Sequence, residues 1–155
     1  KVDRHPSEPD TLFLQHHWGV YRSDDFGGSW TEIGADALPS TFGFPVVADP
    51  NHAGTAYVLP LDSDLFRCCA DDRLRVYRTT DHGGSWEALA DGIPQEGAYL
   101  TVLRDGFAAD SLDPAGLYLG TRTGEVFASP DAGASWTEIA RHLPPVLCVK
   151  PAVLR

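Results

Sequence analysis

One eight-residue pattern occurs three times and limits what the chain can fold into. Ser23-Asp24-Asp25-Phe26-Gly27-Gly28-Ser29-Trp30 returns as Thr79-Thr80-Asp81-His82-Gly83-Gly84-Ser85-Trp86, and again as Ser129-Pro130-Asp131-Ala132-Gly133-Ala134-Ser135-Trp136. The shared pattern is [Ser/Thr]-x-Asp-x-Gly-x-Ser-Trp, with its aspartates 56 and 50 residues apart. Each copy follows a short alternating run (Val20-Tyr21-Arg22, Val76-Tyr77-Arg78, Val126-Phe127-Ala128). Each also precedes another (Thr31-Glu32-Ile33, Glu87-Ala88-Leu89, Thr137-Glu138-Ile139). Self-similarity at this period marks a repeat architecture, here with four strands to the unit. No sustained helical periodicity runs through the sequence, so the chain is all-β.

The residue types within the pattern have chemical reasons. An aspartate two positions after a Ser or Thr can accept backbone N–H groups from its own loop. Gly27, Gly83 and Gly133 supply a positive φ that other residues resist. The tryptophan packs its ring on the hairpin and keeps an N–H for a partner. This pattern resembles the Asp box, or BNR repeat, of β-propeller proteins such as sialidases, xyloglucanases, sortilin-type receptors and a photosystem-II assembly factor. The resemblance covers nearly the whole chain and implies a β-propeller segment of about three four-stranded blades. It also implies that the boxes are fold-stabilising turns at the blade periphery rather than catalytic or calcium sites. Ser23, Asp25, Gly27 and Trp30, Thr79, Asp81, Gly83 and Trp86, and Ser129, Asp131, Gly133 and Trp136 would then be structural.

A chain of 155 residues predicts one domain. Its units run over about 1–38, 39–92 and 93–143, with a terminal strand at 144–155. A net charge of −10 and a pI near 4.8 argue against nucleic acid or an anionic membrane surface as partner. No apolar run is long enough to span a membrane. Three cysteines cannot form a fully paired framework, which slightly favours a reducing, cytoplasmic compartment. Cys68 and Cys69 alone do not make a zinc site, so neither metal nor cofactor is expected.

The inner strands complicate the count. Pro45-Val46-Val47-Ala48 reads as the inner strand of the second unit and Tyr99 to Leu103 as that of the third. The first unit lacks an inner strand, and Val146-Leu147-Cys148-Val149 reads as an inner strand without a unit. Propellers have four to eight blades, so three leave edges open. The chain is then part of a larger propeller, or two or more copies form a homo-oligomeric ring.

In such a blade the box turns share one face, and the resemblance places ligand sites on the opposite one. That face would carry His16, His17 and Trp18, the polar insert 62–73 with Arg67 and Arg73, and Arg122. These six are the candidate ligand-binding residues; Trp18 offers a stacking platform and Arg122 a carboxylate grip. The expected function is a binding or assembly scaffold for a protein or carbohydrate partner. The alternative is a glycoside hydrolase, sialidase-like or xyloglucanase-like, with catalytic residues partly outside this chain. The sialidases' Arg-Ile-Pro motif is absent, and no carboxylate pair stands out.

Overall fold

The computed structural model describes residues 1–154, among which twelve strands form three four-stranded antiparallel sheets. The first sheet contains β1 (Val2–Asp3), β2 (Leu12–His16), β3 (Gly19–Ser23) and β4 (Thr31–Glu32). The second contains β5 (Gly43–Ala48), β6 (Ala56–Pro60), β7 (Val76–Thr79) and β8 (Glu87–Leu89). The third contains β9 (Val102–Ala109), β10 (Leu117–Thr121), β11 (Val126–Ser129) and β12 (Thr137–Ala140). Strand order in each sheet follows the chain, and inner strand β5 packs against both β2 and β9.

The second sheet lies between the other two, which is why its central strand carries no polar face. Tyr57 and Leu59 of β6 join Phe107, Leu117, Leu119 and Phe127 in one core cluster. Their neighbours Ala56 and Val58 point the other way, into a cluster with Phe13, Val20 and Tyr77. Alternate side chains of a strand leave on opposite sides, so a strand covered twice becomes continuously apolar.

Three inner-edge expectations change. The first sheet does have an inner strand: β1 pairs Val2 with Leu14 and Asp3 with Phe13, although it is only two residues long. The third inner strand is Val102–Ala109, not Tyr99 to Leu103, because Phe107 fills the core while Tyr99 is exposed. Its pairing shifts between Leu119↔Phe107 and Thr121↔Val102, a bulge that pushes Arg104 and Asp105 outward. The terminal run makes one isolated parallel bridge, Asp105↔Cys148, rather than a strand of its own. Its final residue lies outside the described ones.

The three repeated turns share one hydrogen-bond scheme. Asp25 accepts the Ser23 hydroxyl and the Ser29 N–H, both at 2.8 Å, and the Ser29 hydroxyl at 2.8 Å. Asp81 does the same with Thr79 and Ser85, and Asp131 with Ser129 and Ser135. The leading hydroxyl accepts the N–H of Gly27, Gly83 or Gly133, each at 2.8 Å. Those glycines sit at φ of 91–92°, where a side chain is strained. The residue before each glycine donates its N–H to the β1–β2, β5–β6 or β9–β10 loop, at Asp10, Gly54 or Ala115. Those loops and the turns therefore share one face of the molecule.

A second repeat lies on the same face. Asp49 accepts the N–H groups of Asn51 and His52 and the Tyr57 hydroxyl at 2.9 Å. Asp110 accepts those of Leu112 and Gly116 and the Tyr118 hydroxyl at 3.0 Å. Both pairs have the same Asp-x7-Tyr spacing, visible in the sequence although the boxes overshadow it.

Candidate functional site

The opposite face is built from the β2–β3 turn outward. His16 pairs with Gly19, leaving His17 and Trp18 as a two-residue turn. The Tyr21 ring covers Gly19, where an added Cβ would come within 2.4 Å of it, and stacks on His16 at 5.0 Å and 7°. A side chain at position 19 would prevent that stack.

His17 points elsewhere, against Phe42 at 5.3 Å and Phe44 at 5.5 Å. Trp18 stands 79% exposed between the two, with both histidine rings at its edges. Buried Gln15 holds this turn by donating its amide to the carbonyls of His16, Gly19 and Thr41. Replacing Gln15 by leucine strands these acceptors; urea denaturation is expected to show a loss of about 1–3 kcal/mol.

The cations come from more distant parts of the chain. The guanidinium of Arg67 lies 5.8 Å from the Phe44 ring centre and that of Arg104 lies 5.4 Å from it. Attraction to the ring quadrupole holds both near the aromatic surface. Arg67 is tied to Asp64. Among the described residues no carboxylate comes within ion-pair reach of Arg104. Lys1 donates from Nζ to the Arg104 carbonyl at 3.0 Å, adding a further positive charge nearby. His16, His17, Trp18 and Arg104 line a cleft of about 400 Å³.

Of the six residues expected at the site, four therefore meet: His16, His17 and Trp18 directly, and Arg67 through Phe44. Arg122 is one step farther along the rim: its N–H reaches the Thr101 carbonyl, and the Thr101 hydroxyl reaches the Arg67 carbonyl. Arg73 is exposed on the 61–75 loop and has no ion-pair or aromatic partner among the described residues. Phe42, in an interblade loop that the sequence places on this face, joins the cluster, as do Phe44 and Arg104, which the sequence does not single out. The one signal for Arg104 is a polar Arg-Asp-Gly step inside an apolar strand, which marks a bulge.

Burial pushes the Cys69 thiol up to about 12, so it stays protonated and donates to the Leu100 carbonyl. Among the described residues no group of three His, Cys, Asp or Glu side chains is placed to hold a metal ion. Nor is any helix among them long and apolar enough to cross a membrane.

No protein-family model and no curated protein matches the chain. Solved structures do. The GH74 xyloglucanase from Xanthomonas campestris superposes with a TM-score of 0.66 at 24% identity, over 88% of this chain and 20% of its own. YCF48 from Cyanidioschyzon merolae gives a TM-score of 0.60 at 16% identity, over 92% of this chain and 37% of its own. YCF48 bound to D1 peptide gives 0.53 at 13% identity, over 94% and 46%. These are β-propellers. The chain has the β-propeller fold. Its three sheets match blades of larger propellers, spanning about a fifth of the xyloglucanase and less than half of YCF48.

Proposed function

We propose that this chain is a propeller module of the Asp-box type that binds a protein partner on the face opposite its box turns. The partner segment is a carboxylate-bearing peptide. The observation that carries this reading is the pair of guanidinium groups over Phe44 beside exposed Trp18. Among the described residues no carboxylate pairs with Arg104, on a chain whose net charge is −10. A local cationic patch on an acidic protein attracts acidic segments, which the rest of its surface repels. Trp18 and His17 supply a platform for an apolar side chain next to the carboxylate. YCF48, which shares the fold, has been captured with a peptide, and this supports a peptide as ligand class.

The likeness to a xyloglucanase favours the second reading, glycoside hydrolysis. That chemistry needs two carboxyl groups facing each other across the cleft. The cleft lined by His16, His17, Trp18 and Arg104 contains none, and Asp64 beside it is held by Arg67. The test is titration of an array of acidic peptides and their amidated counterparts, read by fluorescence anisotropy. Arg104→Glu is expected to weaken acidic-peptide binding about tenfold or more, and added salt to weaken it in the parent chain. Affinity unchanged by Arg104→Glu, or turnover of xyloglucan oligosaccharides by this chain, would overturn the proposal.

A further inference from the structure

The first sheet carries a histidine at a position where the repeat does not need one. The box hydroxyl residues Ser23, Thr79 and Ser129 pair across the sheet with Leu12, Ala56 and Leu117. Four residues beyond those partners stand His16, Pro60 and Thr121, which therefore occupy one register position in the three sheets. Proline has no N–H to offer, and the Thr121 hydroxyl is spent on the Glu125 carboxylate. Of the three, only His16 lines the cleft with His17, Trp18 and Arg104.

Two contacts fix how the His16 ring stands. The Trp18 N–H donates to Nδ1 at 3.1 Å, and the Tyr21 ring lies nearly parallel to the imidazole. A ring nitrogen that accepts a hydrogen bond carries no proton, so the imidazole proton is on Nε2. Among the described residues the ring makes no other hydrogen bond, and His16 is partly exposed. Its Nε2–H is thus an open donor, unlike the Nε2 of His5, which is buried without a partner. The His17 ring rests on Phe42 and Phe44, and no hydrogen bond among the described residues fixes its tautomer.

We propose that His16 is a specificity-determining residue of this cleft, donating its Nε2–H to the ligand carboxylate that Arg104 draws in. The inference deepens the peptide-binding reading and rests on it. A carboxylate is an acceptor on every side, so its two oxygens have room for both the guanidinium and the imidazole N–H. The side-chain amide of asparagine or glutamine offers half the acceptors and adds an N–H₂ that two donors cannot satisfy. The cleft then discriminates against the amide by a lost hydrogen bond as well as by lost charge. Tyr21 and the Trp18 N–H act as positioning groups, because together they set the plane and the tautomer of the donor.

Two substitutions separate this role from support of the turn. Asparagine puts a side-chain oxygen where Nδ1 stands and keeps the Trp18 N–H bonded, as in an Asx turn, but reaches no farther. Glutamine puts an N–H₂ near the Nε2 position and gives up the Nδ1 acceptor. The probe is the acidic peptide of the array that the parent chain binds most tightly, titrated by fluorescence anisotropy. His16→Asn is expected to weaken it about tenfold, and His16→Gln to stay within about threefold of the parent. A histidine that only props the turn gives the opposite order, so His16→Asn binding as tightly as His16→Gln would overturn the inference. Long-range proton–nitrogen NMR correlation on the free chain is expected to show His16 protonated at Nε2; a proton on Nδ1 would overturn it as well. Arg104→Glu tells the two failures apart. If it leaves affinity unchanged, the peptide-binding reading falls and this inference with it; if it weakens binding while His16→Asn does not, only the role of His16 falls.

Discussion

Trp136→Ala is expected to lower unfolding free energy by about 3–5 kcal/mol, the range for deleting a fully buried large aromatic side chain. Trp136 is the most buried of the four tryptophans and lies in the cluster that joins the second and third sheets with Leu89, Ile93 and Phe107. Its backbone N–H already holds the Asp91 carbonyl, so the backbone cannot easily move in to fill the cavity. The phenylalanine variants then separate packing from hydrogen bonding. Among the described residues the Trp136 Nε1–H has no partner, so Trp136→Phe removes buried volume but breaks no bond. Trp86→Phe breaks the bond to the Ile33 carbonyl, worth about 1 kcal/mol, at a site with less packing to lose. Urea denaturation of the four single variants checks this. A Trp86→Ala loss equal to that of Trp136→Ala would refute the deeper burial of the tryptophan between the second and third sheets.

What could be read from the sequence follows from how local each feature is. The box turns were legible because Ser23, Asp25, Gly27 and Ser29 satisfy one another within seven residues, so residue order alone encodes the geometry. The same holds for the strands flanking them, whose alternation is read directly as faces. Strand β1 was missed because two residues carry no period to recognise. Strand β9 was misplaced for a different reason. Tyr99-Leu100-Thr101-Val102-Leu103 looks like a half-buried strand, but the Arg104-Asp105 bulge lets the pairing continue through Phe107 to Ala109. The candidate site was the least legible. Phe44 gathers His17, Arg67 and Arg104 from all three sheets and their connections, and no spacing rule in a single sequence links positions so far apart.

Acidification is expected to remove stability in a window that the box aspartates set. Hydrogen bonds from the Ser29 N–H, the Ser29 hydroxyl and the Ser23 hydroxyl hold the Asp25 carboxyl down, from the ordinary 3.8 to about 2. The Ser85 hydroxyl and N–H and the Thr79 hydroxyl do the same for Asp81, also to about 2. Asp131 is lowered by Ser135 first, then Ser129. In each case the folded state favours the charged form, so the unfolded chain binds protons more readily and stability rises with pH through this range. The contribution is fully present above the unfolded value near 4 and drains away as pH falls toward about 2. Asparagine at the three positions keeps shape but turns an acceptor oxygen into an N–H₂ facing donors. The triple variant Asp25→Asn, Asp81→Asn, Asp131→Asn should therefore be less stable than the parent at neutral pH and converge toward it near pH 2. Urea midpoints measured from pH 7 to pH 2 report both curves. Parallel curves, with a gap unchanged at the acid end, would mean that these carboxylates act through shape alone and not through the charge that their donors stabilise.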